Sequence, residues 1–225
     1  MKVKTDPEFN AKIGAFRVGV VASEHVECQE TSAEFIQLLQ KQEEQIKKSL
    51  SLEVVNKVPN IHLTREAYKK LGNDPNRYRP SADSLMRRIV KGLGLYYINN
   101  VVDVLNLVSL ESGFSIGGYD YDKIEEEIEL GIGRKNEIYY GIGRGQLNIE
   151  NLPVLRDHLG AFGTPTSDSQ RTMITRDTSS IFFVFYDFGR SNLLPETLNH
   201  CAKLLKIYCS AEKPNDYIME FPEIQ

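Results

Sequence analysis

The sequence lacks the features that mark several common classes of protein. None of its three cysteines, Cys28, Cys201 and Cys209, belongs to a C-x-x-C motif, which favours a reducing compartment and ordinary buried thiols over a disulfide framework. No segment approaches the roughly 18 consecutive apolar residues that a membrane-spanning helix needs. The charged start MKVKTDPEFN is unlike a signal peptide. These absences predict a cytoplasmic protein that does not enter a membrane.

Basic charge and catalytic motifs are also scarce. The formal net charge is −4, so the chain as a whole lacks the basic character that nucleic-acid-binding proteins usually have. The histidines are scattered and show no metal-ligand spacing; they are His25, His62, His158 and His200. The serine-nucleophile motif G-x-S-x-G and a Walker phosphate loop are both absent. The sequence therefore predicts no metal and no cofactor, and a polyanion would need a local basic patch.

The apolar patterns that are present predict an α+β fold. At 225 residues and 41% apolar, the chain is long enough for one sizeable core, and we expect a single domain over 1–225. Within it, residues 1–76 are expected to form a strand and helix extension packed on the rest. Helices come first, and mostly antiparallel strands follow, which predicts a central, mostly antiparallel sheet flanked by helices.

Start and stop signals place the individual elements. A branched apolar run predicts a strand over 16–27, and a capping box of Thr31 and Glu34 predicts a helix to about residue 50. Further helices are expected over 64–71, from Ser81 as N-cap to residues 91–92, and over 100–112 with Gly113 after its end. Strands are predicted near 128–132 and over 181–188, and a last helix over 193–208. The repeated GIGR, at 131–134 and 141–144, favours tight bends between paired strands over a phosphate loop, because neither copy opens a helix.

Two polar stretches stand out against this background. The helix over 100–112 is apolar except for a line of side chains spaced three apart, which includes Asp103 and Asn106. A buried polar group costs free energy unless it is hydrogen-bonded, so the line either caps backbone groups or faces a cavity. The second stretch, 160–180, is rich in threonine and serine. It forms either turns or the lining of a site for a small polar ligand.

The segment from about 77 to 208 resembles the editing module, or B3/B4 domain, of the phenylalanyl-tRNA synthetase β subunit, and free-standing proteins built from that module. The matching motifs are NVVDVLN at 100–106, ESG at 111–113, GGYD at 117–120, GAFG at 160–163 and SDSQRTMITRDTSSIFFVFYD at 167–187. No other synthetase segment is visible, so the chain is not expected to charge tRNA. The resemblance implies a compact α+β body. Its pocket would hydrolyse the ester bond of tyrosine wrongly attached to the phenylalanine tRNA.

The resemblance also implies site residues. Asn106 matches an asparagine of the family's pocket, and the expected substrate-binding set is Asn106, Gly117, Gly118, Thr164, Thr166, Ser167 and Thr172. Two positions depart from the family's pattern. The synthetase motif has a histidine where this chain has Gly117, and the family's pocket glutamate falls near Pro165 or Thr166, where this chain has no carboxylate. Asp168 is the nearest carboxylate to that second position. No catalytic residue is assigned from the sequence.

Two functions remain open at this point. The first is a trans-editing hydrolase that clears mischarged aminoacyl-tRNA, and the second is a non-catalytic module that binds an amino acid or a tRNA end. The hydrolase needs a tRNA contact, for which a short basic run is the candidate: Arg77, Arg79, Arg87, Arg88 and Lys91. A solvated helix flank is the alternative explanation of that run. The expected partners are the 3′ end of a mischarged tRNA and a small amino-acid ligand.

Overall fold

The computed structural model describes residues 3–125 and 127–223. Its N-terminal half contains β1 (Val3–Thr5), α1 (Pro7–Ile13), β2 (Phe16–Ser23), α2 (Ala33–Ser49), α3 (Pro59–Lys70), α4 (Ser81–Val90) and α5 (Asn100–Ser112). Its C-terminal half contains β3 (Ile116–Asp120), β4 (Ile128–Ile132), β5 (Tyr140–Gly141), β6 (Gly145–Gln146), β7 (Pro153–Asp157), β8 (Gly160–Gly163), β9 (Ile181–Asp187), α6 (Leu194–Tyr208) and β10 (Asn215–Phe221).

Most strands belong to two four-stranded sheets. The first has the order β10-β2-β9-β3 and is antiparallel throughout. The second has the order β1-β4-β7-β8, in which β1 runs parallel to β4 and the other neighbours are antiparallel. Strands β5 and β6 form a small hairpin over the second GIGR. The predicted α+β class with mostly antiparallel strands is confirmed.

The alternation of side chains along β9 holds three layers together. Phe183 and Phe185 point to one face of the first sheet, where they share a core with apolar residues of α5 and α6. Phe182 and Val184 point to the other face and pack with the second sheet. Successive side chains of a strand point to opposite faces, so a strand buried on both sides must be apolar at every position. The order of layers is helices, first sheet, second sheet.

Several local predictions need correction. The expected order of helices followed by strands holds only in part, because β1 and β2 precede α2 to α5 in the chain and α6 lies between β9 and β10. The N-cap of α2 is Ser32, whose hydroxyl accepts from the backbone N–H of Phe35, and Thr31 instead bonds Asp103. Ser81 is the first residue of α4, and Pro80 occupies the cap position. Strands β1 and β10 were not expected, because their pairing partners are distant in sequence.

Neither a membrane span nor a metal cluster is visible in the described residues. No helix there is long and apolar enough to cross a membrane, and no group of three or more His, Cys, Asp or Glu side chains is arranged to hold a metal ion. Cys201 and Cys209 are buried free thiols, and Cys28 is a half-buried one.

Candidate functional site

A cavity of about 290 Å³ opens where α4, α5 and β3 meet the segment that follows β8. Its apolar lining comes from Leu85, Ile98, Val102, Leu105, Ile116, Ile142, Met173 and Ile174. Its polar lining comes from Ser81, Ser84, Asn106, Arg144, Thr166 and Asp168, together with the backbone of Gly118. A concave, mainly apolar site with a few converging polar groups is typical of small-ligand binding, and this volume suits a small ligand.

The polar line on α5 is mostly structural. Asn99 caps the helix by accepting from the N–H of Val102, and Asn100 bonds the backbone of Glu27, Gln29 and Tyr208. The Asp103 carboxylate accepts from the Thr31 hydroxyl at 2.5 Å and from the Ile98 N–H at 3.1 Å. Burial raises the pKa of that carboxyl. The caps therefore account for this part of the line.

Asn106 differs from the rest of the line. It lies one turn from Val102 on the same face of α5, and both residues line the cavity. Within residues 3–125 and 127–223, its amide has no hydrogen-bond partner. An unpaired amide at a cavity wall keeps its donors and its acceptor free for a ligand.

Asp168 is the acidic group of the cavity. Its Oδ2 accepts from the backbone N–H of Gly118 at 3.0 Å, so the carboxyl is held against the middle of β3. Burial raises the pKa of this carboxyl from an ordinary value of 3.8 to about 7, because a low-dielectric environment disfavours the charged form. A carboxyl that titrates near neutral pH inside a cavity is suited to general acid–base chemistry. The sequence indicated Asp168 only as the nearest carboxylate to a missing glutamate.

The loop before Asp168 is held in place by a turn and by α4. Thr164 accepts from the N–H groups of Thr166 and Ser167 and donates to the Ser167 carbonyl. The Thr166 hydroxyl lies 2.8 Å from the hydroxyl of Tyr68. The N–H of Ser81 donates to the Pro165 carbonyl at 2.7 Å, which joins this loop to the start of α4. The hydroxyl-rich segment therefore forms turns, and part of it also lines the cavity.

Gly117 faces away from the cavity. A Cβ atom at this position would lie 1.9 Å from the hydroxyl oxygen of Tyr119, and one at Gly163 would lie 2.1 Å from it. The Tyr119 hydroxyl thus fills the space that a side chain at Gly117 would need, and it lies 3.3 Å from the hydroxyl of Tyr186. The departure from histidine at this position follows from this packing.

We expect Gly117→Ala to destabilise the protein by about 1–3 kcal/mol, the usual cost of overpacking a core. The ring of Tyr119 is buried between Gly117 and Gly163 and cannot move aside. Gly118→Ala is the matched control, because its new Cβ would meet the flexible end of Leu105. Urea unfolding of the two variants measures the difference, and an equal loss of unfolding free energy in both would contradict it.

A second recess, of about 340 Å³, adjoins the cavity and is basic. It is lined by Arg79, Ser84, Arg87, Arg88, Lys91 and Leu93, and Ser84 lines the cavity as well. Arg87 is neutralised by Asp83, with its Nε 2.5 Å from Oδ1, and it also donates to the Leu52 carbonyl. Among the described residues, Arg79, Arg88 and Lys91 form no ion pair. These three charges remain available to an anion.

The structure separates the residues expected from the sequence into two groups. Asn106, Gly118 and Thr166 line the cavity. The other four expected substrate contacts are not among its lining residues: Gly117, Thr164, Ser167 and Thr172. They are absent because they face the adjoining core or support the loop. The Gly118 N–H is bonded to Asp168.

The basic residues also divide. Arg79, Arg87, Arg88 and Lys91 line the recess, whereas Arg77 does not and lies 5.3 Å from the ring centroid of Tyr78. Sequence reasoning missed Ser81, Ser84 and Arg144 as cavity residues. Arg144 comes from the turn between β5 and β6, and its position depends on long-range packing that no local pattern reveals.

One protein family matches more than half of the chain. Residues 63–209 match the family model described as the B3/4 domain. Over 147 residues the chain is 29% identical to the phenylalanine–tRNA ligase beta subunit of Fusobacterium nucleatum. This alignment covers 64% of this chain and 18% of that protein. An N-terminal fragment of the phenylalanyl-tRNA synthetase beta subunit from Pyrococcus horikoshii has a TM-score of 0.48 at 16% identity, covering 100% of this chain and 55% of that one. The chain thus spans less than a fifth of its curated relative.

Proposed function

Because this chain belongs to the B3/4 domain family, we propose that it binds tRNA in the cytoplasm and hydrolyses the ester bond of a mischarged aminoacyl-tRNA. The protein would act in trans on tRNA that another enzyme has charged. The curated relative is a subunit of a tRNA ligase, and the match covers the segment that builds the cavity. Sequence similarity therefore supports tRNA as the partner, and the side chains of the cavity supply the chemistry that we propose.

The cavity has separate regions for the two parts of an aminoacyl ester. Apolar side chains from α5 and from the segment after β8 form the wall against which an amino-acid side chain would pack, notably Leu105 and Ile174. The exposed Arg144 lies at the rim, where it would contact a phosphate of the terminal nucleotide. The basic recess lies beyond Ser84 and would contact the phosphates that precede it.

Asp168 carries the proposal for hydrolysis. Its carboxylate would accept a proton from a water molecule as the water oxygen bonds to the ester carbonyl carbon. The bond from that carbon to the ribose oxygen would then break, and the proton would pass to the ribose oxygen to give free amino acid and free tRNA. Asn106 would donate its amide N–H to the carbonyl oxygen as negative charge develops there. A pKa near 7 leaves much of Asp168 ionised at neutral pH.

The test is turnover on a panel of mischarged tRNAs. Tyrosyl, threonyl and other mischarged tRNAs are incubated with the protein, and the loss of ester is followed against a control without protein. We expect the protein to accelerate the loss of ester from at least one of these tRNAs. The Asp168→Asn variant should lack that acceleration. Saturable binding of an amino acid or a tRNA end, with no acceleration on any substrate, would instead support the non-catalytic binding module.

Ester hydrolysis is expected to need no histidine. His158 is the histidine closest in sequence to the hydroxyl-rich segment, but it lies exposed in the turn between β7 and β8 and does not line the cavity. His158→Ala should therefore lower the rate by less than about tenfold, or less than ~1.4 kcal/mol of transition-state stabilisation. Single-turnover deacylation measures the effect. A loss of a hundredfold or more in a folded variant would assign this histidine a catalytic role.

A further inference from the structure

The segment between α4 and α5 exposes an unusual number of large apolar side chains. Leu93 is 60% exposed, Tyr96 67% and Ile98 59%, and Tyr97 follows Tyr96 at 41%. We call residues 93–98 the aromatic loop. Single exposed apolar residues are common on protein surfaces, but a contiguous group indicates a binding surface.

The aromatic loop is joined to the basic recess by one contact. The guanidinium carbon of Arg88 lies 3.8 Å from the ring centroid of Tyr96, so the cation stacks on the ring. Arg88 also donates to the Leu93 carbonyl at 3.4 Å, while its Nε is buried without a hydrogen-bond partner in the described residues. Leu93 itself lines the recess. An aromatic ring and unpaired cations therefore form one continuous surface.

The same surface continues into the cavity. Ile98, at the end of the aromatic loop, lines the cavity, and Ser84 lines both the cavity and the recess. A chain bound along Arg88 and Tyr96 would thus have its end at the cavity mouth. The spatial order is aromatic ring and cations first, cavity last.

We infer that the aromatic loop and the basic recess together bind the unpaired nucleotides at the 3′ end of an RNA, with a base stacked on Tyr96 and phosphates on Arg88 and Lys91. Unpaired RNA is recognised by stacking of bases on aromatic side chains or arginine planes beside a basic groove. Charge selects this occupant over an apolar protein partner, because Arg79, Arg88 and Lys91 line the same surface and form no ion pair with the residues that the structure describes. The inference rests on the proposed function and adds to it the surface that selects single-stranded RNA.

The binding test compares two fluorescein-labelled RNA hairpins, one with a short unpaired 3′ tail and one with a blunt end, by fluorescence anisotropy. We expect tighter binding of the tailed hairpin. Tyr96→Ala should weaken that binding by about tenfold, because stacking of a base on an aromatic ring is worth roughly 1–3 kcal/mol. It should leave the blunt hairpin unaffected. Tyr96→Phe keeps the ring and should bind like the wild type.

Two further variants complete the comparison. Lys91→Ala should reduce the steepness of the logarithmic salt dependence by about 0.7, the contribution of one contact between a cation and a single-stranded phosphate. Ile207→Ala removes a large exposed side chain from α6 that lines neither the cavity nor the recess, and it should change nothing. Tyr96 is mostly exposed, so an unchanged melting temperature is expected for both of its variants.

The outcomes separate this inference from the proposed hydrolysis. Equal affinity for the two hairpins, or an affinity that Tyr96→Ala leaves unchanged, would overturn the inference. So would self-association that depends on Tyr96 in the absence of RNA binding. Tail-dependent binding that is lost with Tyr96→Ala, in a protein that hydrolyses no ester, would support the RNA surface while refuting the hydrolase. Hydrolysis that is lost with Asp168→Asn but insensitive to Tyr96→Ala would support the hydrolase and refute the RNA surface.

Discussion

Asp168→Asn is expected to slow ester hydrolysis by roughly a hundred- to ten-thousandfold, the usual contribution of a general base. Asparagine retains an acceptor for the Gly118 N–H, so the loop should keep its position. It cannot accept a proton from water at neutral pH. Single-turnover deacylation measures the loss, with Asp177→Asn, at an exposed residue of the same segment, as the control. A reduction below tenfold in the folded variant would refute the assignment.

The pH dependence provides an independent check on Asp168. In the wild type, the rate should rise with pH and level off above about pH 7, where the carboxyl is ionised. In Asp168→Asn the residual rate should continue to rise with hydroxide. Stability should also change, because a carboxyl whose pKa is raised in the folded state stabilises that state only while it is protonated. That stabilisation is present below about pH 4 and is lost as pH rises through about 7.

The loss of this stabilisation predicts how the stability of Asp168→Asn should compare with that of the wild type at different pH values. As pH increases from 4 to 8, the melting temperature of Asp168→Asn should rise relative to that of the wild type. Thermal unfolding monitored by circular dichroism measures the difference. A constant difference across this range would show that the carboxyl is not desolvated in the folded protein.

Asp83→Ala is expected to destabilise the protein by about 3–5 kcal/mol, the usual cost of leaving a buried charge without its partner. Asp83 is fully buried and accepts from Arg65 at 2.9 Å and from Arg87 at 2.5 Å. Arg65 also donates to the Pro75 carbonyl and to Asn76, so the network joins α3, the following loop and α4. Since α4 contributes to both the cavity and the recess, this carboxylate positions the site without contacting a ligand.

Denaturant unfolding measures the loss at Asp83. Asp122→Ala, which removes a carboxylate from the short helical turn after β3, should cost less than 1 kcal/mol. Asp83→Asn should lower the free energy of unfolding by less than Asp83→Ala and by more than Asp122→Ala, since its amide oxygen still accepts one hydrogen bond from an arginine. A loss below 1 kcal/mol for Asp83→Ala would show that the two arginines find other partners or reach water.

The features that could be predicted from the sequence are those that residues close together in the chain determine. Helix α5 has the predicted bounds, because Asn99 caps its start and Gly113, at a φ of 75°, ends it. The β9 strand was recognisable because it is buried on both faces and so carries only apolar and aromatic residues from Ile181 to Tyr186. In each case the physical cause is local, so it leaves a local pattern.

The site depends on contacts between distant residues, and these left little trace in the sequence. Asp168 becomes a candidate base only because Gly118, 50 residues earlier, holds it at the cavity wall. Arg87 and Arg88 are neighbours in sequence, yet Asp83 neutralises the first while the second stacks on Tyr96. The i,i+4 spacing of Asp83 and Arg87 is visible in the sequence. The stacking of Arg88 on Tyr96 depends on the path of the loop after α4 and is a property of the fold.

The position of β2 has a consequence for experiments that shorten the chain. The family match covers residues 63–209, but β2 and β10 lie outside it and supply half of the first sheet. A fragment cut at the limits of the match would expose the hydrogen-bonding groups of β9 along the side that pairs with β2. Such open edges promote aggregation. The segment recognisable by similarity is therefore smaller than the unit that must be expressed to obtain a soluble, folded site.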